Sequence, residues 1–233
     1  MSFRSKSKHL TILAALVIGF LCSCQSMPDS SQFDNAPLLG VIFDGASRGV
    51  QGFSVSLDYK TNGSTDINGK FNFPAVSRGK HHLEAIKAGY QSISLDFNFD
   101  VRSQIVYMTA LSFRDYLAQA ESAMQRHDFL HAQEQVALAL KLQAKDAVAL
   151  YLLATIKVSL GAYADGYGIL KDLLAANVHE VAVYLLLIDI AAQASQFHDE
   201  ILKAISADSS ISQIPAIAKA LERIKSTPSK ETP

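Results

Sequence analysis

The chain has 233 residues, 49% of them hydrophobic, and a formal net charge of −1. That length suits two small domains, and the composition is too apolar for a disordered protein. The charge balance lacks the basic face that nucleic acid requires, and the only cysteines, Cys22 and Cys24, cannot staple the folded part.

Arg4, Lys6 and Lys8 open the chain with no acid among them, and Leu10 to Leu21 is an apolar run broken by Thr11. The run falls short of the about 20 residues that a membrane-spanning helix needs, and reads as the core of a signal peptide. Leu21-Cys22-Ser23-Cys24 then resembles a bacterial lipobox, with a branched apolar residue, small residues and a cysteine. The resemblance implies that residues 1–23 are a lipoprotein signal peptide, cut before Cys24, with lipid on the Cys24 sulfur and new amino group. An ordinary secretory signal with incidental cysteines is the alternative. The lipid of that family has more than one chain, and each buried CH₂ contributes about 0.8 kcal/mol, so anchoring would be stable. Removing residues 1–23 takes away three basic and no acidic residues, leaving a formal charge of −4. Net attraction to anionic lipid would then add little. Gln25, not aspartate, follows the cysteine, which under the enteric sorting rule implies the outer membrane. Residues 24–37 are polar and aperiodic, with Pro28, and read as a flexible tether.

From residue 38 to 110 the pattern alternates with period two. Phe53, Val55, Leu57 and Tyr59 fall on one strand face, as do Ile93, Leu95, Phe97 and Phe99, with Phe71 and Phe73 on a shorter strand. Leu39–Phe43 and Gln104–Tyr107 supply the first and last strands. Turn signals stand between them at Asn62-Gly63, Asn68-Gly69, Arg78-Gly79 and Ala88-Gly89. Short strands at this spacing predict a small antiparallel β-sandwich. Gly40-Val41-Ile42, Gly49 to Val55, Thr65 to Phe73 and Gly89-Tyr90 follow in order. On these residues the segment resembles the carboxypeptidase-regulatory-like domain, a transthyretin-like sandwich. The resemblance implies a structural or binding module without catalytic residues.

From residue 111 to 225 an aromatic recurs every 34 residues, at Phe129, Tyr163 and Phe197. His127, Gly161 and Ser195 precede them by two, and Tyr116, Leu150 and Tyr184 by thirteen. A fixed period of this length signals stacked helical hairpins, none of which buries its apolar face alone. The expected helices are Phe113–Gln125 with Phe129–Leu142, Ala147–Leu160 with Tyr163–Ala175, and Val181–Ala194 with Phe197–Ala207. Ser212–Lys225 reads as a closing helix. The stretch resembles tetratricopeptide repeats, with small residues at Ala120, Ala132, Ala154 and Gly166; Ile188 and Glu200 depart from that pattern. The fold class is thus multidomain β + α: an antiparallel β-sandwich, then a solenoid of about three helical pairs with a cap. Val181–Ala192 is too short for a membrane span, contains Asp189 and reads as a buried helix. Residues 226–233 form a polar tail read as disordered.

The tetratricopeptide resemblance implies a groove along the first helix of each pair. It would be floored by Leu117, Tyr151 and Leu185, with Glu121, Thr155 and Asp189 one turn on. Such a surface suits an amphipathic or extended peptide carrying positive charge; alternatively these side chains pack beneath the closing helix. Gly45-Ala46-Ser47-Arg48-Gly49 has the G-x-S-x-G form, but a strand pattern follows where a nucleophile elbow needs a helix. His127 and His131 stand four apart, yet His127 falls at a turn and no partner cluster is evident. His81 and His82 are neighbours on a strand and must face opposite ways. Asp66 and Asn68 read as turn-stabilising, not as calcium ligands.

The expected function is a non-catalytic, membrane-anchored adaptor or scaffold of the bacterial cell envelope, lipidated at Cys24. Its partners would be another envelope protein or peptide segment, and the membrane through the lipid; no cofactor, metal or nucleic acid is expected. A glycan-binding or small-solute-binding accessory role is the alternative, and a hydrolase through Ser47 a distant third.

Overall fold

A computed structural model describes residues 33–225. Cys24, the signal segment and the 226–233 tail lie outside the described residues. Among the described residues, seven strands precede eight helices: β1 (Asn35–Phe43), β2 (Ser54–Leu57), β3 (Thr61–Ser64), β4 (Lys70–Ser77), β5 (Gly79–Ile86), β6 (Ile93–Phe99) and β7 (Ile105–Thr109). The helices are α1 (Phe113–Gln125), α2 (Phe129–Leu142), α3 (Ala147–Ser159), α4 (Tyr163–Ala175), α5 (Val181–Gln193), α6 (Ser195–Ala207), α7 (Ser209–Ser212) and α8 (Pro215–Lys225).

The strands form two sheets, ordered β4-β1-β7 and β3-β2-β5-β6, over one shared core. Alternation in β1 sends Ala36, Leu38, Gly40 and Ile42 inward. A side chain on Gly40 would put its Cβ 2.1 Å from the Phe71 ring, so glycine lets that ring lie across β1. Thr65 ties the sheets' connections together from within. Its buried hydroxyl accepts from the Phe53 N–H at 2.9 Å and donates to the Val50 carbonyl at 2.7 Å.

Four details differ from the sequence expectation. β1 starts at Asn35, three residues inside the expected tether, because Ala36 is already a core residue. β1 and β7 pair in parallel, so the β region is not wholly antiparallel. Asn62-Gly63 lies within β3; the turn is at Asp58-Tyr59, both at positive φ, with Lys60 N–H donating to the Leu57 carbonyl. Asp58 wins the turn because its carboxylate also accepts from the His82 N–H and bonds the His81 ring. Tyr59 is therefore lifted off the strand face and is 70% exposed, not core-directed. Phe71, Phe73 and Phe99 are buried, while Phe97, on the edge strand β6, is half-buried.

The helical region packs as antiparallel neighbours α1·α2, α3·α4 and α5·α6, with α2 on α3 and α4 on α5. α3 and α5 are apolar on nearly every side because both of their sides are buried. Ala149 and Ile156 of α3 join a core with α1 and α2, while its Ala154 and Val158 join the core of the later helices. In α5, Val183, Tyr184, Leu187, Ile188, Ile190 and Ala191 are all buried. No described helix is long and apolar enough to cross a membrane. The closing segment is broken into α7 and α8, with Pro215 opening α8 as proline readily does. α8 packs on α5 through buried Ile217 and Leu221.

Two helix ends show the 34-residue echo in their backbone. After α1, His127 N–H bonds the Met124 carbonyl and Asp128 N–H the Ala123 carbonyl. After α3, Gly161 and Ala162 bond Val158 and Lys157 in the same way. Both are Schellman ends requiring a left-handed residue, at φ 60° for His127 and 76° for Gly161. The third hairpin abandons the device: α6 begins at Ser195, directly after Ala194.

The β and α regions meet without a loose linker. Ala110 is buried and its N–H bonds the Phe43 carbonyl. Gln91 N–H bonds the Leu111 carbonyl, Phe113 N–H the Gly89 carbonyl, and the Tyr116 hydroxyl donates to Gln91. Ser112 and Asp115 close a capping box on α1.

Thr65→Val keeps the shape but leaves the Phe53 N–H and Val50 carbonyl unpaired in the core. It is expected to cost about 2–3 kcal/mol in chemical denaturation. His127→Gly removes a left-handed side chain and should raise stability by about 0.5–1 kcal/mol, read as a higher denaturation midpoint.

Candidate functional site

An apolar concavity lies between α4, α5 and α6, with a volume of about 290 Å³. Tyr167, Lys171 and Leu174 face it from α4, at spacings of four and three that share one helix side. Tyr184 and Leu187 of α5 form part of its floor. Ile201 and Ile205 of α6 are buried along one wall, with Glu200, Ala204 and Asp208 towards solvent.

The cleft includes a position where the 34-residue spacing changes residue type, from Ala132 and Gly166 to Glu200. Ala132 and Gly166 are buried where α2 and α4 approach their partner helices, and a Cβ on Gly166 would stand 2.9 Å from Val158. Glu200 occupies the matching place in α6, where no carboxylate can be buried without a partner. Glu200 is exposed and faces Lys171 of α4.

The rim is charged. Lys171 Nζ is 3.5 Å from Glu200 Oε1 and 5.7 Å from the Tyr167 ring centre. Burial, together with the Glu200 carboxylate that accepts its hydrogen bond, pushes the Tyr167 hydroxyl up to about 12. The Tyr167 hydroxyl bond, with Lys171, holds Glu200 below the usual carboxylate range against a smaller opposing effect of burial. Burial raises Tyr184, whose hydroxyl lies 2.6 Å from His179 Nδ1. Asp208 is lowered by hydrogen bonds from Ser210 and Ile211. At neutral pH the site presents protonated tyrosines and carboxylates beside an apolar floor.

The groove positions are divided. Leu117 joins the core of the first hairpin, whereas Tyr151 and Leu185 join the core of the later helices. All three are half-buried, and Glu121 and Asp189 are exposed. The Thr155 hydroxyl is turned back onto the Tyr151 carbonyl at 3.0 Å, so it is not offered to a ligand. α8 packs on α5.

Ser47 sits exposed at φ 60° in a loop that runs into strand β2, not into a helix. Asp44 organises that loop, accepting from the N–H groups of Ala46 and Arg48 and from Arg48 Nε, each at 2.9 Å. Burial pushes the Asp44 carboxyl up, but these bonds outweigh it and hold it low. His127 stands at the helix end, outside the face that carries His131, whose ring pairs with Glu134 at 3.6 Å. Asp66 Oδ1 accepts from the Asn68 and Lys70 N–H groups at 2.8 Å, a turn device. Among the described residues no group of three His, Cys, Asp or Glu is placed to hold a metal.

One cluster escaped the sequence reading. On the outer face of the four-stranded sheet, His82 stacks on Tyr59 with ring centres 4.9 Å apart and bonds Asp96 at 2.5 Å, with Glu84 at 3.6 Å. Only the β5–β6 register, which sets His82 opposite Asp96, reveals it. His81 faces the other way, bonding Asp58 and the Ser77 carbonyl beside Phe97.

The Asp96 hydrogen bond raises His82 above its ordinary value. In a proton NMR titration, Asp96→Asn should return His82 to lower pH. Because the folded value is raised, the contribution to stability is present below the unfolded value near 6.5 and is lost as pH rises through the folded one. The stability gap between wild type and Asp96→Asn should accordingly narrow as pH rises from about 6.

No family model matches the chain, and no curated protein matches it. Among solved structures, the Bacillus anthracis TIE protein aligns at 13% identity and TM-score 0.31, over 34% of this chain and 17% of that one. An N-terminal interface mutant of the type II cohesin–X-dockerin complex from Acetivibrio cellulolyticus aligns at 16% identity and TM-score 0.27, over 37% of this chain and 72% of that one. The corresponding C-terminal interface mutant gives 19% identity and TM-score 0.24, over 32% and 51%. The chain thus spans under a fifth of the Bacillus protein, and similarity this slight carries no argument about fold or function.

Proposed function

We propose that this chain is a non-catalytic adaptor of the bacterial cell envelope, held to a membrane by lipid on Cys24. In this reading the two-sheet region is a carboxypeptidase-regulatory-like β-sandwich and the helices are a tetratricopeptide-like array. The recurrence of Phe129, Tyr163 and Phe197 near the starts of α2, α4 and α6 supports the array. The lipobox-like Leu21-Cys22-Ser23-Cys24 supports the anchor.

The observation that carries the docking role is the cleft between α4 and α6. Its partner is an envelope protein that offers an apolar side chain to Leu187, Ile201 and Ile205. A nearby lysine or arginine of that partner would meet the carboxylates of Glu200 and Asp208.

The exposed Tyr59 favours glycan binding as a second reading, because an open aromatic beside Asp96 and Glu84 resembles a sugar platform. Loss of glycan-array signal in Tyr59→Ala would mark that role.

Ala204→Trp fills the cleft from an exposed position and should leave the fold intact by circular dichroism. With a photo-crosslinker at Lys171 in cells, the full-length protein should give a reproducible partner adduct that falls at least about tenfold in Ala204→Trp, as expected for a blocked central contact. An unchanged adduct pattern would remove the cleft from the docking role.

A further inference from the structure

The two outer faces of the β region are chemically unlike. The four-stranded sheet displays Lys80, His82, Glu84 and Asp96, a mixed polar surface. The three-stranded sheet contains no acidic residue in any strand, and Lys70 is its one charged residue. Its outward positions carry Leu39, Val41 and Phe43 on β1, with Ile105 and Tyr107 on β7. The register sets Leu39 beside Ile105 and Val41 between Lys70 and Tyr107. Phe43 and Tyr107 stack with ring centres 6.4 Å apart. Leu39 is 45% exposed, Ile105 41% and Tyr107 65%, so the described helices do not cover this face. At the end of the sheet where the chain enters β1, the loop before β7 adds Val101, 50% exposed, and exposed Arg102. Arg78 N–H bonds the Asp34 carbonyl at that same end.

We propose that this sheet face lies on the lipid bilayer, with Leu39, Ile105, Tyr107 and Val101 in the interface and Lys70 and Arg102 at lipid phosphates. The inference rests on the lipid anchor at Cys24. From Cys24 to Asn35 the chain can reach no more than about 40 Å, so the sheet stays near the membrane surface. A monomer seldom leaves such a strip of aliphatic and aromatic side chains open, and tyrosine is at home at the water–lipid boundary. Although the mature chain is net negative, the strands of this sheet carry no acid, and Asp100, in the loop with Val101 and Arg102, is paired with Arg78 at 3.5 Å.

The chain has no tryptophan, so Tyr107→Trp makes a single fluorescent reporter, and Tyr59→Trp on the other sheet is its control. Each full-length variant is expressed in bacteria, checked by mass for lipid on Cys24, and reconstituted into vesicles of phosphatidylglycerol and acyl-brominated phosphatidylcholine. Emission from the Tyr107→Trp protein should shift to the blue and fall at least about twofold in brominated vesicles, as for a side chain at the interface. Emission from the Tyr59→Trp control should stay almost unchanged. Adding Leu39→Glu to the Tyr107→Trp protein should reverse its quenching while the lipid keeps the protein on the vesicles. A lipidated, vesicle-bound Tyr107→Trp protein that is not quenched overturns the proposal and leaves the anchor standing. The same holds if its indole is shielded only in native envelopes, which would mean that a protein covers the face. A chain without lipid that stays off the vesicles overturns the anchor and this inference together.

Discussion

Parallel pairing between β1 and β7 is the constraint on which the rest of this structure depends. The first and last strands of the β region run side by side in the same direction. The chain therefore enters the sheet at one end and leaves it at the other. Parallel neighbours need a long crossover, and here the crossover is the whole of the second sheet with β4. The consequence is directional: whatever precedes Asn35 is attached opposite the point from which α1 departs. An antiparallel closing strand would have returned the helices to the side of the N-terminal segment.

The junction makes that direction rigid. Ala110 belongs to the β core, and two residues later Ser112 caps α1. The 89–91 loop bonds both the junction backbone and Tyr116. Backbone hydrogen bonds on both sides of a connection this short leave little freedom for a hinge. The helical array is thus an extension of the sheet and not a separately tethered body. Along it the order of the caps fades. Asp128 and Asp146 cap α2 and α3 with side chains, whereas α4, α5 and α6 have no such bond. The cleft lies in that half, between helices without side-chain caps.

At the cleft one side chain departs from the repeat. A small residue at position 132 or 166 lets the second helix of a pair press against its neighbours. Glutamate at 200 is exposed instead, and with Lys171 and Tyr167 it forms the charged rim of the cleft.

Much of this was legible in the residues. Period-two alternation and the 34-residue echo determined where strands give way to helices, and five of the expected helices agree with the structure to within one residue at each end. Turns at His127 and Gly161 could be read from the spacing of aromatic residues, and their left-handed conformation came from the structure. Glu200 was visible as a departure, yet nothing local said that it would stand at the rim of a cleft, because that depends on what α4 places opposite. Register decided the remainder. Asn62-Gly63 lost the turn to Asp58-Tyr59 because the Asp58 carboxylate finds donors on β5, a strand about 20 residues away whose position no local signal carries. The Tyr59–His82–Asp96 cluster and the acid-free outer face exist only once strands distant in sequence lie side by side. Sequence by itself determined the two regions and their periodicities, which are properties of neighbouring residues. Tertiary structure alone decided the parallel closure and the contents of each face, since these arise from pairings between residues far apart in the chain.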